Sequence, residues 1–362
     1  MFPTAAAAIA AAPPPTAGPL GIAIPDGTRP VDVPQALAAL REVLPGDPVA
    51  VVGLGLHRPM RPEELPPSPF SLHQHDPDDT VETGVVDGVR GGVSRQLAGR
   101  CLLGVGVVEL HQYAGFSGGH KAVSVGCGAR VTIDALHHRD RVCAPGVELG
   151  RLEGNPFREV VDRLGEAAGC SWVILQSSRG WVAGEPRAAV RHAAASLDCW
   201  VDVPTRHPDA VLLVKGRKAV NFYQASRAAT YLGLSATPPL TPGATLWLDA
   251  ACPEGVGDGA GERAFAEVLG RSGPPWDALL TGPAPVGGGT QRAVMLALLM
   301  RRYRLVVCGV TDPEPLTRVG LDARRERAME LAPEGALMVE DAFARLPRLS
   351  PQNAASTSID SQ

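Results

Sequence analysis

Nine histidines occur in the 362 residues, and seven of them lie between positions 57 and 138. Histidine transfers protons near neutral pH and is the commonest metal ligand, so such a cluster suits either task. His57 and His111 follow the apolar runs at residues 48–56 (PVAVVGLGL) and 101–108 (CLLGVGVV). Runs of that kind form buried strands of parallel sheets, which bind ligands at their carboxyl ends. From 109 to 121 the chain reads ELHQYAGFSGGHK, with glycines at 115, 118 and 119 and a terminal lysine. Glycines there allow a sharp turn and close approach to a ligand. Lys121 could neutralise a phosphate, form a covalent link or stand in solvent. Asp26 and Arg29 share a proline- and glycine-bounded turn, DGTRP, that can aim them. Each feature has an ordinary structural reading, but together they describe a site.

Other motifs are weaker. The glycine turn lacks the GxxxxGK[ST] spacing, has Ala122 after the lysine, and is not GxGxxG. An ordinary nucleotide triphosphatase or NAD dehydrogenase is therefore disfavoured. His73 and His75 form an HxH pair that would share a face on a strand, but their proline- and acid-rich flanks read as a polar loop. Neighbouring His137 and His138 cannot both reach one ion from a regular helix.

Around these residues, hydrophobic patterning places strands at 21–24, 48–56, 101–108 and 170–176. Helices are expected at 34–44, capped by Asp32, and from Asn155-Pro156. A short helix starts at Pro62, and an alanine-rich helix at 184–196 reads as a connector. The pattern then restarts, with strands at 210–214, 245–249, 278–280, 305–309 and 337–340 and helices at 222–232, 262–269 and 291–302. This predicts an α/β fold of two layer domains, 19–183 and 204–345, joined by a helical connector at 184–203, with the active site in the cleft between them. Residues 1–18 lack the charged start of a secretory signal and read, like 346–362, as disordered.

Thirty-four basic and 38 acidic residues without a basic patch argue against nucleic acid. Seven scattered cysteines without a CxxC pair fit a reducing, cytoplasmic setting, and no apolar run is long enough to span a membrane.

Five segments, DGTRP (26–30), GLHRPM (55–60), ELHQYAGFSGGHKAV (109–123), TIDALH (132–137) and NFYQASR (221–227), resemble in order the motifs of the nickel-pincer lactate racemase family. The ELHxxAGFSGGxK run is the most specific of them, and the resemblance covers roughly residues 19–345. It implies a nickel-dependent racemase or epimerase of a 2-hydroxy acid. The implied cofactor is the nickel-pincer nucleotide, pyridinium-3,5-bisthiocarboxylic acid mononucleotide with Ni(II), attached at Lys121, with Asp26, Thr28, Gly118 and Gly119 also contacting it. His137 is the implied nickel ligand, in the planar four-coordinate geometry that Ni(II) favours. His57 and His111 are the implied acid/base pair, and Arg29, Gln224 and Arg227 the implied substrate contacts, with Asp26 alternatively orienting Arg29. Implied partners are the small 2-hydroxy acid and the enzymes that make the cofactor and insert nickel. The chain departs from the family in Arg227, where a lysine is usual, in lacking tryptophan near Thr290-Gln291, and in a shorter C-terminal end. These differences leave the hydroxy acid open: lactate, a larger acid or a sugar acid. Two alternatives use the same scaffold: a one-way hydroxy-acid oxidoreductase, and a non-catalytic protein that holds the cofactor or nickel.

Overall fold

The computed structural model describes residues 1–274 and 276–351, in two units, 1–197 and 198–351. In the first unit, helix α1 (Ala5–Ala11) precedes strand β1 (Leu20–Pro25), helix α2 (Val33–Arg41) and strand β2 (Val49–Gly53). Strand β3 (Ser71–Gln74), the hairpin β4 (Thr80–Val86) and β5 (Val89–Ser94), and β6 (Cys101–Val107) follow. The short pair β7 (Leu110–His111) and β8 (Gly115–Phe116) leads into a π-helical turn, Ala122–Gly126. After it come α3 (Arg130–Leu136), α4 (Arg139–Val142), α5 (Pro156–Ala167), β9 (Cys170–Ser177), β10 (Gly180–Gly184) and α6 (Pro186–Ser196).

Six of these strands form one sheet in the order β10-β9-β6-β1-β2-β3, parallel except for β10. Its core is the apolar runs themselves: Ile22, Ile24, Ala50, Val52, Leu103, Val105 and Ile174 are all buried. Chain order reverses between β1 and β6, because β1 leads to β2 on one side while β6 lies on the other. The crevice beyond the carboxyl ends of two such strands is where doubly wound sheets bind ligands. Here it receives the DGTRP turn from β1 and the ELH segment from β6.

The second unit has its own sheet, in the order β15-β14-β13-β12-β16 and wholly parallel. Its elements are β11 (Trp200–Val203), β12 (His207–Leu213), α7 (Phe222–Gly233), β13 (Leu240–Asp249), α8 (Ala260–Ser272), α9 (Ala278–Thr281), α10 (Thr290–Met300), β14 (Arg304–Cys308), β15 (Asp322–Ala323), β16 (Leu337–Val339) and β17 (Leu346–Leu349). Chain order reverses between β12 and β16, and α7 is the helix that leaves β12 at that point. Among the described residues no helix is long and apolar enough to cross a membrane.

Five expectations need correction. Residues 1–18 are not a disordered arm. Thr4 caps α1, whose Ala5, Ala8 and Ile9 form a buried stripe, and the Phe2 backbone pairs with that of Trp181. Their small side chains carry little hydrophobic signal, yet the stripe has helical spacing. Residues 346–349 of the expected tail form β17, paired in parallel with β11; residues 352–362 lie outside the described residues. His73 lies on β3, which pairs with β2, and not in a loop. Residues 278–281 are a helical turn and not a strand, with only Leu279 buried. The expected connector helix, α6, packs on β9 and β10 with Ala189, Val190 and Ala193 buried, so it belongs to the first sheet.

Candidate active site at the carboxyl ends of three parallel strands

Strand β1 lies between β2 and β6, so the strands leading to His57 and His111 run two strand spacings, about 10 Å, apart. That gap suits a small molecule. From the middle strand comes Asp26, which is 7 % exposed. Its Oδ2 accepts from Nδ1 of His57 at 2.6 Å, and its Oδ1 accepts from both the backbone N–H and the hydroxyl of Thr28 at 3.1 and 2.6 Å. Burial alone would raise the Asp26 pKa, but His57, Thr28 and Arg29 outweigh it and hold the carboxyl well below the usual range. An ionised carboxylate at Nδ1 fixes the proton there and leaves the lone pair on Nε2, the arrangement that makes a histidine a general base.

The ELH segment is held by its own motif. The Ser117 hydroxyl donates to the Val107 carbonyl at 2.6 Å and accepts from Glu109 N, while Ser117 N donates to the Glu109 carbonyl. His111, 8 % exposed, accepts at Nδ1 from the backbone N–H groups of Ala114 and Tyr113, at 3.1 and 3.3 Å. The Tyr113 ring meets His111 edge-on at 5.7 Å and His137 edge-on at 6.0 Å, so one aromatic ring gathers two of the predicted site residues. Arg29 Nη1 lies 3.9 Å from Glu109 Oε2, which joins the DGTRP turn to the ELH segment.

Lys121 is half-buried and opens the π-helical turn. That turn lies against β6, β1 and β2. Gly53 and Gly126 meet so closely that a Cβ on Gly53 would fall 2.9 Å from the Gly126 carbonyl carbon. The preceding Gly119 has φ +70°, and a Cβ there would meet Arg158 Nη2 at 2.7 Å. Glycine is required at both positions. Single π-helical turns interrupt regular geometry and are frequent at functional sites.

Behind the turn is a buried charged network that sequence reasoning missed. Arg158 Nη1 donates to the carbonyls of Phe116 and Gly118, and its Nε to Asp162 at 2.8 Å. Asp162 also pairs with Nδ1 of His120 at 3.1 Å. Arg158, Asp162 and His120 are each at most 5 % exposed. Burial would raise the Asp162 pKa, but His120 and Arg158 outweigh it and the carboxyl stays below its ordinary value. Asn155 adds a bond from Nδ2 to the Tyr113 carbonyl at 2.8 Å while its Oδ1 caps α5. Arg158→Met leaves Asp162 without its closest cation and should cost about 3–5 kcal/mol in denaturant unfolding. A loss below ~1 kcal/mol would show that the network does not brace the turn.

His137 ends α3, and its Nδ1 donates to the Ile133 carbonyl at 2.8 Å. That bond sets the tautomer with the lone pair on Nε2, as metal-bound histidines commonly have it. Among the described residues no three His, Cys, Asp or Glu side chains are placed to hold a metal ion together, and the HxH pair is used otherwise. His75 is buried against the Gly128 carbonyl at 2.9 Å, and His73 pairs with Ser71. His138 caps α4, accepting from Asp140 N. Of the residues that the resemblance assigns to the implied cofactor, His137 offers a ring nitrogen and Lys121 a half-buried amine.

The first unit thus brings Asp26, Thr28, Arg29, His57, His111, Lys121 and His137 to one sheet edge and its loops. Asp26, expected at the cofactor or at Arg29, pairs with His57, and Thr28 bonds Asp26; the Arg29 backbone N–H donates to the Asp26 main-chain carbonyl at 3.3 Å. Gln224 and Arg227 belong to the second unit. There Arg227 donates to Gln224 Oε1 at 2.7 Å, lies over the Phe343 ring at 5.3 Å, and both are buried.

Residues 15–150 match the model of the lactate racemase N-terminal domain. The chain is 25 % identical over 339 residues to the lactate racemase of Lactiplantibacillus plantarum, covering 85 % of this chain and 78 % of that one. Its fold is similar to the lactate racemase apoprotein of Thermoanaerobacterium thermosaccharolyticum, with a TM-score of 0.78 at 17 % identity, covering 95 % and 93 % of the two chains. It is also similar to a Thermotoga maritima protein, with a TM-score of 0.66 at 13 % identity and coverage of 92 % and 94 %.

Proposed function

The chain belongs to the lactate racemase family, and from that premise we propose that it interconverts the enantiomers of a 2-hydroxy acid. The observation that carries the proposal is the 2.6 Å pair of buried, ionised Asp26 with His57, at the sheet's reversal point and beside the turn that bears Lys121. A protein that merely stored a cofactor would have no use for such a base.

In this reading Lys121 is the covalent attachment point of the nickel-pincer nucleotide, His137 Nε2 is its nickel ligand, and Gly118 and Gly119 make room for it. When bound, that group would accept the Cα hydride of the hydroxy acid and return it to either face of the resulting keto acid. The chain's own residues do the rest. His57 Nε2 takes the hydroxyl proton, and Asp26 stabilises the imidazolium that forms. His111 meets the substrate oxygen from the β6 side. Arg29, on the turn between them, pairs with the carboxylate by a charge-assisted bond. Gln224 and Arg227 are proposed as further substrate contacts on the motif NFYQASR, and arginine in place of lysine favours a bidentate, more extended carboxylate partner.

The test is chiral chromatography with protein produced alongside cofactor-synthesis and nickel-insertion enzymes. Single enantiomers of lactate and of larger 2-hydroxy acids are supplied, and racemisation of at least one is expected. A loaded protein that releases keto acid to an external electron acceptor, with no inverted product, would favour the oxidoreductase reading instead.

A further inference from the structure

Behind the Lys121 turn, α5, α6 and the segment leading into α5 border a cavity of about 310 Å³, and no residue assigned to the crevice lines it. Its charged walls are three arginines and three acids: Arg158, Arg187 and Arg191 against Glu153, Glu159 and Asp162. Most of these charges are already matched. Arg187 commits Nε to Glu166 and both terminal nitrogens to Glu159. Asp162 holds His120 and the Nε of Arg158. What is left over is donor capacity. Arg158 is 4 % exposed, and its Nε and Nη1 are taken by Asp162 and by the Phe116 and Gly118 carbonyls. Its Nη2 donates to no acceptor among the described residues, yet it is not sealed from solvent and faces the cavity that Arg158 lines. Exposed Arg191 hydrogen-bonds Glu153 through Nε alone, which leaves its terminal nitrogens open as well. A guanidinium carries five N–H donors, and those inside a protein are costly to leave unmet.

We infer that this cavity is a second ligand site, that it takes a small carboxylate, and that Arg158 couples it to the turn bearing Lys121. Its volume is at the lower end of small-molecule sites. A carboxylate gives both open guanidiniums charge-assisted bonds that a neutral carbonyl does not. A phosphate would set a second negative charge against the three acids of the lining. The coupling follows from the shared guanidinium. Nη1 reaches the Phe116 and Gly118 carbonyls at 3.3 and 3.4 Å, which are long bonds, and a ligand that pins Nη2 steadies that grip. Such a ligand must leave before the turn can open. The inference does not depend on the reaction assigned to the crevice.

The test uses the full, cofactor-free chain carrying Arg29→Gln, which removes the carboxylate partner proposed for the crevice. The probe is sodium propionate, with sodium chloride of equal ionic strength as reference. At about ten times its Kd, propionate should raise the unfolding midpoint by about 2–4 °C over chloride. Adding Arg191→Gln should raise that Kd ~10-fold. Adding Glu153→Gln instead, which removes the competing acid at Arg191, should lower it ~2–5-fold. Hydrogen exchange of the backbone amides of residues 116–126 should slow ~10-fold at the same propionate concentration. No rise over chloride, or the same rise with Arg191→Gln, overturns the site. Inorganic phosphate that raises the midpoint more than propionate does overturns the carboxylate class. Unchanged exchange at 116–126 while the midpoint rises overturns the coupling.

Discussion

Lys121→Ala, produced with the cofactor-synthesis and nickel-insertion enzymes, should come out with the mass of the bare chain and no stoichiometric nickel, while the wild type gains one adduct at Lys121. Racemisation should then drop to the uncatalysed background, ~10⁶-fold or more below wild type. The fold should survive. Lys121 is half-buried, and the segment around it is fixed by other groups: the Gly53–Gly126 contact, the Ala122 N–H to the Gly119 carbonyl at 3.2 Å, and the Arg158 bonds to the loop carbonyls. Unchanged thermal unfolding with lost loading therefore separates attachment from structure. A variant that keeps a covalent adduct would place the tether elsewhere.

Asp26→Asn should be nearly as severe in rate while leaving the cofactor in place. An asparagine amide facing Nδ1 allows the other tautomer and takes the lone pair away from His57 Nε2. Where a buried aspartate orients a catalytic histidine, that change costs on the order of 10⁴-fold in kcat. A second effect has a definite sign. The folded-state pKa of Asp26 is depressed, so its ionised form stabilises the protein above the ordinary aspartate range, and that contribution is lost as pH falls through the depressed folded value. The gap in unfolding midpoint between wild type and Asp26→Asn should therefore be widest near neutral pH and should close in strong acid. A gap that widens on acidification, or a variant with near-normal turnover, would remove Asp26 from the mechanism.

The sheet could be read in the sequence because its central strands are continuous apolar runs. β1, β2, β6 and β9 are buried on both faces, so their sequences carry the pattern without interruption. Edge and small-residue elements were not readable for the complementary reason. β3 is a four-residue edge strand with no fully buried position, and His73 within it, His75 just after it and the flanking prolines look like a loop. α1 buries mostly alanines, whose low bulk resembles a flexible arm. β17 is strand only because it pairs with β11, some 146 residues earlier.

The site divides in the same way. Lys121, His111 and the glycine turn lie within a dozen residues, so their grouping is local and readable. The Asp26–His57 pair joins residues 31 apart, and depends on the parallel register that sets Pro25 beside Gly53. His120 and Asp162 are 42 apart and meet only because α5 packs on the turn. A signal for that network did exist: arginine and aspartate four residues apart on an otherwise apolar helix face, at 158 and 162, seldom lie inside a helix packing surface without a partner. Tyr113 as the ring joining His111 to His137 had no local signal, since the motif alone does not say which way its side chain turns.

The roles proposed for Lys121, His57 and His111 all require that the hydride return to carbon without exchange with water. The measurement is to incubate the loaded protein in ordinary water with one enantiomer of a turned-over 2-hydroxy acid carrying deuterium at Cα, and to analyse the inverted product by mass spectrometry. If the Cα hydrogen leaves with its electron pair and returns to the same carbon, the inverted product retains its deuterium. Inverted product with hydrogen from water at Cα would mean that a base removes that hydrogen as a proton, and would contradict all three roles.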